Sequence, residues 1–380
     1  MRKLKVICFL FDPNIGGPTI RARNVYERMI ADGYDVRIAF PNGKGSAAEF
    51  IAEKGIPVDK LSIEKPVLPR KFVMFLKFSL KVPASIFRVR RYLRQEKPDV
   101  IHVNGAFDVV PALAGILARV PVVWHLNDTV LSPRFSRKLG WVVKKVASVV
   151  VVAATRVGEH YNVMDAATHV IFAPVDVSKF DARDPNGFPR ANSVLTLIGN
   201  WNWIKGHDRF VEVVAGLLGQ GIKVRGFMVG KFLEGQRAYW EPILDRIATD
   251  NLDRHFECPG FVEDTAGVLE DSDILLLTSH SEASPMSLLE AMSVGVPVVT
   301  FDVGGVREML GTDENGGAEA AGVVVPNGDV DAMQKAAANL LKDPERYQQM
   351  CWNGQNRARE RFSLESCVER HIEAYAEATN

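Results

Sequence analysis

The sequence predicts an α/β fold of two doubly wound, Rossmann-like parallel-sheet domains, and three observations predict it. Apolar runs of strand length alternate with amphipathic stretches of helix length through both halves of the chain, the β-α-β-α rhythm of a sheet covered by helices. The 380 residues exceed one ordinary domain at a prior of about 150 residues each. Charge divides the chain as well: Met1–Pro185 holds twelve more Lys and Arg than Asp and Glu, and 186–380 holds the mirror-image acidic excess, although the formal net charge is zero. Halves so unlike are most simply separate domains with different partners.

In the first half Lys5–Phe11, Val36–Phe40, Val100–Val103, Val120–His125 and Val149–Ala153 read as strands, with the helical pattern Ile20–Asp32 between the first two. In the second half the strands are Val194–Gly199, Val224–Val229, Phe256–Cys258, Ile274–Thr278, Val296–Thr300 and Gly322–Val325. A run such as Asp273-Ile-Leu-Leu-Leu-Thr278 shows no polar alternation, so it reads as a strand buried on both faces. Helices are expected at Arg209–Leu218 and Leu288–Val294. The stretch 173–189 is rich in Pro, Asp and Gly and reads as a linker between a domain of residues 1–175 and one of 190–363. A last helix, Leu364–Ala378 with Ser363 as its N-cap candidate, is expected to carry residues 364–380 back to the first domain.

The four cysteines, Cys8, Cys258, Cys351 and Cys367, form no CxxC pair or Cys/His cluster, which points to free thiols, a reducing compartment and no zinc site. The start, MRKLKVICFLFDPN, has too short an apolar run and no small-residue cleavage site, so it reads as a first strand rather than a signal peptide. No apolar segment approaches bilayer-spanning length. The expected location is the cytoplasm, with a peripheral hold on the inner face of the membrane left open.

Loops at the carboxyl ends of parallel strands hold ligands, which directs attention to Ser281–Thr300. There Glu282 and Glu290 bracket a loop that enters a helix, and the helix N-terminus offers N–H groups to a phosphate. A lone Glu in a first turn is more often there for the helix macrodipole. The turn Asp12–Pro18 carries Gly16 and Gly17 ahead of a helix, a weak anion signal that departs from GxGxxG. His125 ends a buried strand with Asp128 nearby, placed equally well for a titratable site residue or for a strand cap. Lys205, in the turn Gly199–Gly206, could neutralise a diphosphate as a point charge or be an ordinary surface lysine. Asp271-Ser-Asp273 matches the D-x-D pattern of metal-dependent sugar-nucleotide enzymes; its position between helix and strand favours a structural role, and no metal or other cofactor is expected.

In combination these features are specific. The order of the Gly-Gly turn, the strand-end His, the Gly…Lys-Gly turn, Gly260-Phe-Val-Glu-Asp264 and E-x7-E leading into LLEAMSVGVPVV resembles the retaining glycosyltransferases of family four, which have the GT-B fold. Gly304-Gly-Val-Arg-Glu308 and Val325-Pro-Asn-Gly-Asp329 add to the likeness, which spans nearly the whole chain and is strongest from Gly260 to Pro326. The resemblance implies two Rossmann-like domains facing across a cleft, with the donor nucleotide held by the second and the acceptor by the first. It implies that Glu290 holds the donor ribose, that Glu282 lies near the transferred sugar, and that Lys205 faces the diphosphate. Pro285, Met286 and Ser287 would meet sugar and phosphate through their backbone, Phe261 and Val262 would lie by the base, His125 near the reacting carbon, and Gly16 and Gly17 over the phosphates. Two positions depart from the pattern. Asn200 stands where the family has Arg, so diphosphate neutralisation rests more heavily on Lys205, and Ser284 replaces a Phe beside the sugar pocket.

The expected activity is therefore metal-independent transfer of a hexose, with retention, from a UDP- or GDP-linked sugar to a glycan or lipid-linked acceptor in cell-surface polysaccharide or glycolipid synthesis. Two competing readings share the donor: a GT-B sugar-nucleotide epimerase, disfavoured by the E-x7-E block, and a sugar-nucleotide-binding protein without turnover, which Asn200 keeps in view. The basic, aromatic-bearing segments 65–97 and 134–145 suggest contact with an anionic membrane. No nucleic-acid module is recognisable.

Overall fold

The computed structural model describes residues 3–63, 72–312, 317 and 319–380, with side chains in the helix Phe72–Glu96 described from residue 81 onward. The chain forms two compact units, Met1–Pro174 together with Leu364–Asn380, and Val175–Ser363.

The first unit is built on seven strands: β1 (Lys5–Leu10), β2 (Asp35–Pro41), β3 (Val58–Leu61), β4 (Val100–Asn104), β5 (Val122–Leu126), β6 (Val149–Val152) and β7 (Thr168–Val170). They lie in the order β3-β2-β1-β4-β5-β6-β7 and every pairing is parallel. The order reverses between β1 and β4, the kind of switch point outside which α/β sheets bind ligands. Strands β3 and β7 escape the sequence reading because VDKL and THV are short and half polar, as edge strands tend to be. The first helix, Gly17–Ala31, starts three residues before the expected Ile20 because Pro18 is compatible with a helix's first turn.

The second unit holds β8 (Ser193–Ile198), β9 (Val224–Val229), β10 (Phe256–Gly260), β11 (Ile274–Leu277), β12 (Val298–Phe301) and β13 (Gly322–Val325). Their order is β10-β9-β8-β11-β12-β13, again all parallel. Its switch point lies between β8 and β11. The sequence 274-ILLL-277 is fully buried along its length, which is why its apolar run does not alternate.

The stretch 173–189, read as a linker, is built into the second unit from Val175 onward. Val175 donates to the Phe362 carbonyl at 2.8 Å, Arg183 N to the Val294 carbonyl at 2.9 Å, and the Arg183 guanidinium lies over the Phe188 ring. Pro, Asp and Gly there shape a packed loop, which composition alone does not separate from a free one. Helix Leu364–Thr379 returns to the first unit and buries Cys367, Val368, His371, Ala374 and Tyr375. Among the described residues no helix is long and apolar enough to cross a membrane.

Candidate functional site

Lys205 and Glu282, 77 residues apart in sequence, meet at the switch point of the second sheet. Lys205 ends a short 3-10 turn, Trp203–Lys205, after β8; Glu282 lies on the loop after β11. Lys205 Nζ and Ser279 Oγ each donate to Glu282 Oε1 at 2.7 Å. The two loops are joined along their backbones, His280 N donating to the Ile204 carbonyl at 2.8 Å and Thr278 Oγ1 to the Gly206 carbonyl at 2.8 Å. Gly206 sits at φ +67°, and a Cβ there would stand 2.2 Å from the Thr278 carbonyl oxygen. That contact explains the glycine after the lysine. Gly304 closes the loop from the other side: its φ is +53° and a Cβ would fall 2.0 Å from the Glu282 carbonyl oxygen, while Gly305 N donates to the Ala283 carbonyl at 2.9 Å.

This loop feeds the helix Met286–Val294, whose N-cap is the buried Pro285 and which has no side-chain cap. Its N-cap residue supplies no side-chain acceptor to the amide donors of the first turn, Met286 and Ser287 among them, the kind of helix start at which anions bind. Glu290 lies one turn further on. Burial pushes its carboxyl up to about 7, and a hydrogen bond with the Thr265 side chain pulls the other way. Thr265 starts the helix that follows the loop after β10, where Phe261 is exposed and Val262 half-buried.

Asn200 is turned elsewhere. Its Oδ1 accepts from Lys231 N at 3.1 Å and its carbonyl from Asn202 Nδ2 at 3.1 Å, so it ties the turn after β8 to the end of β9. The sequence reading missed Trp203, which stacks on His280 with ring centroids 4.3 Å apart and remains 56 % exposed. The signal was available, since both residues precede an assigned charge by two positions. Asp273 is not open to a metal: its carboxylate accepts from Arg190 N, Arg190 Nε and Val194 N at 2.7–3.0 Å. Those bonds fix the start of β11.

In the first unit, His125 does not end its strand. It lies in β5, one residue short of the strand's end, is 0 % exposed, and belongs to a buried polar cluster. Arg21 Nη1 stands 2.8 Å from its Nδ1 and 2.7 Å from its Nε2, and His102 Nε2 is 3.3 Å from its Nδ1. Burial holds the His125 imidazole well below its usual range, reinforced by Arg21, His102 and His371. His371 donates from Nδ1 to the Cys367 carbonyl at 2.7 Å, which leaves Nε2 to accept from Arg21 Nη2 at 3.3 Å. Tyr375 carries the network on to His102 at 2.9 Å and Tyr26 at 3.0 Å. The cluster fastens the last helix to the sheet, the work of a structural network.

The residues that do open at this switch point lie at the ends of β1, β4 and β5. A pocket of about 220 Å³ is lined by Asp12, Thr19, Asn104, Phe107, Asn127 and Asp128, among others, and Asn127 Nδ2 donates to Asn104 Oδ1 at 3.1 Å. The strand runs one residue past His125, and Asn127, two residues on, is half-buried at the pocket wall. Gly16 caps the helix Gly17–Ala31 in extended backbone without a side-chain cap, and a Cβ at Gly17 would meet nothing within 4 Å.

Comparison with known proteins agrees with this geometry. The family model for glycosyl transferases group 1 matches residues 178–357, and that for glycosyltransferase family 4 matches residues 15–179. The lipopolysaccharide core biosynthesis mannosyltransferase of Rhizobium meliloti is 26 % identical over 70 % of this chain and 76 % of its own. The N-acetyl-alpha-D-glucosaminyl L-malate synthase of Bacillus anthracis is 21 % identical over 98 % and 96 % of the two chains. Among solved structures, Anabaena HepE in complex with UDP superposes with a TM-score of 0.81 at 19 % identity, covering 98 % of this chain and 100 % of that one. Two parallel-sheet units with a Lys205–Glu282 pair and an uncapped helix at one switch point, matched by these two models over residues 15–357, place the chain in family 4 of the group 1 glycosyltransferases, with the GT-B fold.

Proposed function

We propose that this glycosyltransferase moves a hexose, with retention of anomeric configuration and without a metal ion, from a UDP- or GDP-linked donor held by the second unit to a hydroxyl of a glycan or lipid-linked acceptor held by the first. The observation that carries the reading is the Lys205–Glu282 pair, whose carboxylate lies on the loop that leads into the N-terminus of helix Met286–Val294, which has no side-chain cap. An ammonium held by a carboxylate that a serine hydroxyl in turn fixes, next to a helix N-terminus, is pre-organised for the charge that grows on a departing diphosphate. Glu290 reaches the far side of the same helix start, next to the Phe261 loop, where ribose hydroxyls and base would lie. Asn200 leaves Lys205 as the side-chain cation of this turn, so the lysine carries a larger share than in relatives with an Arg there.

In the step so proposed, the bond from the anomeric carbon to the diphosphate oxygen breaks. The acceptor oxygen bonds to that carbon on the same face, and the acceptor proton passes to the leaving phosphate oxygen. Lys205, with its ammonium and its stem across the Gly199 backbone, stabilises the leaving group. One of the two D-x-D carboxylates, Asp273, is spent on Arg190 and the Val194 amide, which supports the metal-independent reading. The Asn104–Asn127 pocket supplies amides and carboxylates suited to polyhydroxyl acceptors.

The test is incubation with a panel of UDP- and GDP-hexoses in the presence of a chelator, with thermal shift to identify the donor and NMR of the product to read anomeric configuration. Donor hydrolysis or transfer with a retained anomer is expected. An inverted product, isomerised donor, loss of activity with chelator, or stabilisation by a donor with no turnover would overturn it.

A further inference from the structure

The first unit presents an unusual outer surface. Helix Val109–Ala118 packs beside both Phe72–Glu96 and Pro133–Val146, and Arg90 Nε donates to the Leu117 carbonyl at 2.9 Å, tying the first two together. Seven large apolar side chains stand exposed among the described residues of this unit, and six of them are on these helices or the turn before the third: Phe87, Ile116, Leu117, Val130, Phe135 and Trp141, at 45 to 67 %. Single exposed apolar residues are ordinary, but their collection on one layer marks an interaction surface.

The charges between them have one sign. Pro133–Val146 exposes Arg134, Arg137, Lys138, Lys144 and Lys145 and contains no acid, while burying Ser136, Gly140 and Val143 on its inner side. Val109–Ala118 has no charge at all. In the described part of Phe72–Glu96, Arg88, Arg91 and Arg94 are exposed, and the one acid, Glu96, is turned to Lys5 at 3.0 Å. The only ion pair made by the third helix is Lys144 with Asp165, at 3.9 Å, among those described.

We propose that this three-helix layer is a docking face for an anionic lipid bilayer. Aromatic and aliphatic side chains reach the headgroup boundary while the interleaved lysines and arginines meet lipid phosphates. Trp141 is the side chain best suited to that boundary, with an apolar body and an N–H that water or headgroups can satisfy. A protein partner would need a strongly acidic complement to the same field. The sequence segments 65–97 and 134–145 already hinted at basic patches. The structure adds that the described part of the first and the whole of the second are outer sides of one layer, bridged by the uncharged Ile116 and Leu117. Residues 64–71 lie outside the described residues, and the proposal does not use them.

Co-sedimentation of the full chain with vesicles of phosphatidylcholine alone, or mixed with phosphatidylglycerol, reads this directly and without nucleotide or turnover, so its failure is separable from failure of the transfer reading. Binding to the anionic vesicles only, weakened by salt, is expected. Arg137→Glu with Lys138→Glu should lower the partition coefficient by about tenfold or more, each lost cation being worth roughly 1 kcal/mol near such a surface. Phe135→Ser with Trp141→Ser should weaken binding even at low salt, and both double variants should keep the parent melting temperature because the side chains are exposed. No vesicle binding, equal binding to neutral and anionic vesicles, variants that bind like the parent, or self-association through this face without lipid binding would overturn it.

Discussion

Lys205 and His125 stand near the reversal points of two sheets with the same winding, and the protein treats them in opposite ways. Lys205 is paired with Glu282 while their side chains keep 26 % and 11 % of their surface; His125 is sealed, 0 % exposed, against Arg21, His102 and His371. In the second unit the strand end opens into loops that meet across the switch point, so a charge there stays accessible, as the proposed donor contact requires. In the first unit the last helix of the chain covers the equivalent polar groups, so they serve the fold, and the opening moves outward to Asn104, Asn127 and Asp128. A titratable side chain at a strand end thus becomes a site residue only where no later element packs on it.

Variants can break or sharpen this contrast. Lys205→Ala should have the largest effect, lowering kcat by about 100- to 1000-fold, the usual loss on removing one pre-organised electrostatic group. Its urea midpoint should change little, because a part-exposed pair adds only about 0–1 kcal/mol to stability. Steady-state kinetics with an identified donor is the measurement, and a mild kinetic loss would reassign the lysine. His125→Ala should do the reverse. It leaves the Arg21 guanidinium buried with fewer acceptors, costing about 3 kcal/mol of stability, while the folded fraction retains turnover; denaturant unfolding and activity at low temperature separate the two.

Gly304→Ala should come next. The new Cβ must displace the Glu282 carbonyl, so about 1–3 kcal/mol of strain is expected, together with weaker donor binding seen as a smaller thermal shift. The smallest effect is expected from Glu290→Gln. The carboxyl is raised from an ordinary Glu value to about 7 by burial, so between these two values the folded state binds more protons than the unfolded one. Its contribution to stability is fully present below the ordinary Glu pKa and is lost as pH rises through about 7. The glutamine variant should lose that decline and gain on the order of 1–2 kcal/mol over the parent at pH 8 relative to pH 5, read as a difference in melting temperature. An unchanged pH profile would show that Glu290 is solvated.

Much of the architecture was legible in the residues. Apolar runs such as 274-ILLL-277 are strands because a sheet covered on both faces leaves no polar positions, and the glycines at 206 and 304 mark turns because backbone comes too close for a Cβ. The short polar edges β3 and β7 were not legible, since hydrogen bonding to one neighbour asks little of side-chain pattern. Nor was the packing of 175–189, where proline and glycine look alike in a linker and in a fixed loop.

The sequence by itself determined the family, the two parallel-sheet units and the identity of the charged pair at the second switch point, because buried strands, close-contact glycines and loop carboxylates each restrict residue type at a fixed spacing. Only the tertiary structure decided that Lys205 is held by Glu282, that Asn200 faces Lys231, and that His125 is an interior residue. Those outcomes depend on which distant element arrives to cover or contact a side chain. The pattern along the chain carries no record of that meeting.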